Sequence, residues 1–392
     1  MANEGSPRGL VLAAMLLAVP ALLTLVGCSS GPGSVVQIPP PTTRFLLVAD
    51  SFNSRVVLFD SPFSTGEAAS TVLGQDSFTT SAQATAASGL ALPAKAITDS
   101  DGNIWVADTF NNRVLEYKQP PTNGMAASVV IGQPDFTSSN ITAPTQSNLI
   151  DPFGLAFDSA GDLWVVDGSR RVLEYEPPFT NGMSASLVIG QSDFTSDTRA
   201  TTASGLNYPT EIAFDAAGNL WLVDQGNNRV LEYKAPFSTG EPASIVIGQA
   251  DFTSSTAATT STGMNSPYGI DFDGSGNLWV SDVRNLRVLQ YALPFSSGQA
   301  ASLVLGQLNF TSSGVSGNPQ VDLNNPAGLA FDTSGNLFIS ETGASCVVIF
   351  EPPFNSGMSA NVIIGQQSFN GGLTSTSATG LAGPESVSTS PF

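Results

Sequence analysis

The chain has no histidine among its 392 residues. Without imidazole there is no Ser-His-Asp or Cys-His nucleophile, no histidine general base and no His-ligated zinc. Any metal site would have to be an oxygen site for a hard cation such as calcium. Basic residues are scarce too: 13 Lys and Arg stand against 32 Asp and Glu, a net charge of −19. That balance excludes nucleic acid as a partner, because its phosphates need clustered cations. Two cysteines allow one disulfide at most.

What is present first is an export signal. Residues 1–9 are polar, and an apolar run from Leu10 to Val26 is interrupted by Pro20. Its length and position fit a signal segment better than a membrane span. The run ends Leu25-Val26-Gly27-Cys28, which resembles a bacterial lipobox: small residues before a cysteine that is lipidated and becomes the mature N-terminus. The resemblance implies a signal peptide over 1–27, an acyl anchor on Cys28 and placement in the cell envelope. Ser29 is compatible with an outer membrane where the cell has one. Residues 28–43 read as a Pro/Gly/Ser tether. With Cys28 acylated, Cys346 has no partner, and its position in an apolar segment predicts a buried, inert thiol.

The remainder, 44–392, is internally repetitive. Gly-Gln closes an apolar run six times, at Gln75, Gln133, Gln191, Gln249, Gln307 and Gln366, spaced by 58 residues four times and then by 59. Arg-Val recurs in register at Arg55, Arg113, Arg171, Arg229 and Arg287, and Cys346 takes the sixth position. The four tryptophans, Trp105, Trp164, Trp221 and Trp279, share one repeat position, with Leu47 and Phe338 in the other copies. Each copy carries four strand-like segments between turn residues, for example Pro209–Asp215, Leu220–Asp224, Arg229–Tyr233 and Ala243–Gln249. Six such units predict an all-β fold, a six-bladed β-propeller of four-stranded antiparallel blades. The repeats open on a second strand, Phe45–Asp50, and close on an orphan first strand, Leu381–Val387. The two ends are therefore expected to share one blade and close the ring, whereas a solenoid would need polar caps.

The unit P-x-G-[IL]-A-F-D-x-x-G-N-L-W-[VL]-x-D-x-x-N-x-R-V-L-x-Y resembles the NHL repeat, with a longer period than is usual. Residues present in every blade are expected to serve the blade. The Trp and Tyr series should pack between blades, the Asp50, Asp108, Asp167, Asp224 and Asp282 series should cap turns and bind the arginines, and each Gly-Gln should satisfy loop backbone. Turns such as Asp99–Asn103, Asp158–Asp162 and Asp273–Asn277 superficially suggest calcium loops but lack the remaining ligands, so hairpin turns are expected and no cofactor is assigned.

Function is sought where the blades differ near the channel mouth. The positions after the repeat proline hold Lys95, Phe153, Glu211, Tyr268 and Glu385, and the turn Asp282–Arg287 adds Arg284. These six are the candidate binding residues. The expected activity is that of a monomeric, membrane-anchored, extracytoplasmic binding or scaffold module for a protein, peptide or glycan. The alternative is an enzyme. Six-bladed relatives implied by the resemblance include lactonases and lyases; the amidating-lyase and streptogramin-lyase types lean on histidine, absent here. A calcium-dependent lactonase would need a carboxylate cluster begun by Glu211, Asp271 and Glu385.

Overall fold

A computed structural model describes residues 45–140 and 143–390. Cys28 and the segments 1–27 and 28–43 lie outside the described residues. Six sheets of four antiparallel strands form the described fold, as the repeat predicts. Blade 1 joins the first and last described strands: Pro384–Thr389 pairs with Phe45–Asp50, followed by Arg55–Asp60 and Thr71–Leu73. Blades 2 to 6 begin at Lys95, Pro152, Pro209, Pro267 and Pro326.

The middle strands are apolar on both faces because each blade is sandwiched between two others. Leu220–Asp224 and Arg229–Tyr233 are buried along their whole length. Each of the six apolar clusters draws residues from two blades, so the core is a set of interfaces. Trp164, Val166 and Val172 of blade 3, for instance, pack with Leu220, Leu222, Leu231 and Tyr233 of blade 4. Trp164 meets Phe214 and Phe237 edge-on at ring separations of 5.8 and 4.9 Å, a geometry that adds to the area buried. The tryptophan N–H is not orphaned: Trp164 donates to Asp158 and Trp221 to Asp215, both at 3.1 Å. The other carboxylate oxygen of Asp215 accepts the backbone N–H groups of Ala217 and Asn219, and Gly218 takes a φ of +80°. That is a hairpin turn held by its own aspartate.

The fourth strand is shorter than expected. In blade 4 it spans Ile245–Ile247 rather than Ala243–Gln249, because Gly248 turns to φ +87° and breaks the ladder. Gln249 then donates to the carbonyls of Asn228 and Thr256, tying the outer loop to the second turn.

Five buried Asp–Arg pairs organise the face where the long loops lie. Arg229 donates to Asp224 at 2.8 Å, to the Phe252 carbonyl at 2.6 Å, and to the Thr202 and Gly205 carbonyls at 2.9 and 3.0 Å. One guanidinium thus fixes two loops with charge-assisted bonds. Burial raises the carboxyl pKa of each of these aspartates, opposed by its arginine; Asp108 is pushed up to about 6.

Candidate functional site at the channel mouth

The first strand of each blade lines the central channel and starts at the repeat proline, where the ring of sequence exceptions lies. The inner strands approach closely. A Cβ on Gly269 would stand 2.2 Å from the Ala327 carbonyl oxygen, and one on Gly154 would stand 2.8 Å from the Glu211 Cα. Glycine at these points lets polar side chains of non-adjacent blades reach each other.

Lys95 of blade 2 forms a 2.9 Å ion pair with Glu211 of blade 4, and both side chains are buried, at 8% and 4% exposure. Burial raises the Glu211 pKa, and the Lys95 ammonium opposes it. The Tyr268 ring of blade 5 faces Glu385 of blade 1, and the two groups feel each other. Burial raises the pKa of both, and the carboxylate raises the tyrosine's further. Asp271 accepts the backbone N–H of Phe272 at 2.8 Å and of Phe331 at 2.9 Å, closing the inner edge between blades 5 and 6. Burial pushes its pKa up to about 6. The sequence-derived ring is therefore two cross-channel pairs beside a backbone-bonded aspartate. Phe153 is half-buried against Tyr208, with ring centroids 5.8 Å apart. Arg284 makes none of these pairings and stands exposed on its turn.

A second ring escaped the sequence reading. The residue before the repeat proline is left-handed in every blade: Leu92, Asp151, Tyr208, Ser266, Asn325 and Gly383 have φ between +43° and +60°. Positive φ is costly for the five that are not glycine, so the rim stores backbone strain in every blade but the first. Tyr208 is 49% exposed here and feels the charges of Asp151 and Glu385. Two further aromatics, Phe52 and Phe110, are 60% and 58% exposed on the turns between second and third strands, the position Arg284 holds in blade 5. Phe52 lies over Gly383, where any Cβ would meet its ring at 2.6 Å. Beside it, Asn53, Thr374, Ser375, Thr376 and Ala382 line an open hollow of about 540 Å³.

The opposite face offers a groove of about 670 Å³ between the turns of blades 2 and 3, lined by Asp99, Asp101, Glu116, Lys118 and Asp158. Asp158, Asp162 and Glu174 bring carboxylate oxygens within 4.8 Å of one another at this end of blade 3. Asp158 accepts the N–H groups of Ala160, Asp162 and Trp164 Nε1, and Glu174 accepts from Ser186 Oγ at 2.6 Å. These bonds hold the turn and the strand edge.

Neither protein-family models nor curated proteins give a match to the chain. Solved structures do. A protein of unknown function from Bacteroides caccae aligns over 88% of this chain and 98% of its own, at 9% identity and TM-score 0.52. A catalytically inactive virginiamycin B lyase from Staphylococcus aureus, with quinupristin, aligns over 82% and 83% at 12% identity and TM-score 0.45. A streptogramin B lyase aligns over 83% and 85% at 13% identity and TM-score 0.44. At such identities the likeness speaks to the fold alone.

Proposed function

We propose that this is an NHL-type propeller, lipidated at Cys28 and displayed monomerically in a bacterial envelope. Its channel face binds a protein, peptide or glycan and performs no covalent chemistry. The observation that carries this reading is the division of labour at the mouth. Lys95 and Glu211 are engaged with each other and Glu385 faces Tyr268, while the exposed surface, Arg284 apart, is aromatic and hydroxylic. A carboxylate whose oxygens already hold an ammonium is a poor start for catalysis, and exposed Phe and Tyr rings are good contact surfaces. A calcium-dependent lactonase is less well supported, because the Lys95 ammonium sits among the acids that would take the ion and Asp271 is bonded to backbone.

The test is crosslinking and recovery of partners from the native envelope with wild-type protein and with Phe52→Ala and Tyr208→Ala. Loss of the same partner in both variants, with unchanged thermal stability, is expected. Full recovery by both would refute the channel face as the binding surface. Cys28→Ala is expected to move the protein from the membrane to the soluble fraction and to abolish incorporation of labelled fatty acid.

A further inference from the structure

Blade 6 lacks the arginine that the other five share. Cys346 stands opposite Glu341 in the strand register, as Arg229 stands opposite Asp224. The space the longer side chain would fill is a cavity of about 40 Å³ lined by Glu341, Cys346, Pro319, Phe369, Gly371 and Gly372, large enough for water or a small ion. In blade 4 the guanidinium is held by carbonyls 27 residues before and 23 residues after the arginine. The residues at those separations from Cys346 are Pro319 and Phe369, and both line the cavity. Glu341 is buried and accepts one bond, from the Asn324 N–H at 2.9 Å; among the described residues no cation pairs with it.

We propose that this cavity is a binding site for a guanidinium group supplied from outside the chain, seated against the Glu341 carboxylate where the other blades carry their own. A free guanidinium ion and the tip of an arginine side chain share the chemistry the site recognises. Burial pushes the carboxyl of Glu341 up to about 8, so a guanidinium entering the cavity at neutral pH displaces its proton, whereas Asp108, which has its arginine, is raised only to about 6.

The test is thermal unfolding of the full-length chain. Guanidinium chloride at about 10 mM, too dilute to denature, is compared with sodium chloride of equal strength. A midpoint raised by about 1–2 °C over the sodium control is expected. Arginine amide in place of guanidinium distinguishes the sources: an equal or larger rise assigns the site to a side chain, and no rise assigns it to the free ion. Cys346→Arg should raise the midpoint itself and remove the response. Glu341→Gln, which keeps the shape of the side chain, should also lose it. A wild-type response no greater than that to sodium, or a response surviving in Glu341→Gln, would overturn the site.

Discussion

Five blades hold an arginine between a strand-end aspartate and the carbonyls of two long loops; the sixth holds a cysteine beside a glutamate and a small void. The fold around them is the same: four antiparallel strands, the same Gly-Gln bond to the second turn, the same apolar interface. The ion pair is therefore not what makes a blade. Its role is to anchor loops over the channel face, and in blade 6 Gln366, bonded to the Ser345 and Leu373 carbonyls, holds the outer loop without it. Blade 3 stands between the extremes. Its turn is one residue shorter, so Arg171 reaches Asp167 through a terminal nitrogen at 2.9 Å and leaves Nε buried without a partner.

The sharpest break of this contrast is Arg229→Ala, which makes blade 4 resemble blade 6 without its adapted neighbours. Asp224 would be left buried and unpaired, and a loss of about 3–5 kcal/mol is expected in urea unfolding. A smaller effect belongs to Glu341. Its folded pKa of about 8 lies above its ordinary 4.5. The stability due to the neutral carboxyl is fully present below pH 4.5 and is lost as pH rises through 8. Glu341→Gln should remove a fall of about 2–4 kcal/mol across that window, measured as the difference between variant and wild type. If the two profiles run parallel, the carboxyl is not held neutral by the fold.

Blade 3 can be repaired. An asparagine inserted after Ser169 restores the spacing of the other blades, with an expected gain of about 1 kcal/mol from the bond returned to Arg171 Nε. The smallest effect is at the tyrosine series. The hydroxyls of Tyr117, Tyr175, Tyr233 and Tyr291 are buried without partners, and blades 1 and 6 place Phe59 and Phe350 at the same register. Tyr233→Phe should change stability by less than about 1 kcal/mol, toward the more stable side. A clear loss in calorimetry would mean that the hydroxyl has a partner, such as water.

The blade count, the shared terminal blade, the interface role of Trp164 and Tyr233 and the Asp224–Arg229 bond were all legible in the sequence, because each depends on residues within one period or on the period itself. The cross-channel pairs were not. Lys95 and Glu211 were recognisable as exceptions, but their contact joins blades two apart, and a linear repeat carries no record of distance across the ring. Glu341 was missed for another reason: the eye follows the lost arginine to Cys346, while the chemical consequence falls on the acid left behind. The rim residues before the prolines were hidden because backbone handedness, not residue type, distinguishes them.

The closing seam has a mechanical side. The Phe45 N–H donates to Ser390 Oγ and the Ser390 N–H to the Phe45 carbonyl, both at 3.1 Å, so the first and last strands of the ring end side by side. Force applied between those two points would peel the antiparallel ladder one hydrogen bond at a time, each contributing about 1 kcal/mol. Load borne through one end alone crosses no rung of that ladder. A propeller built this way withstands tugging when held by a single attachment and would open under tension if held by both.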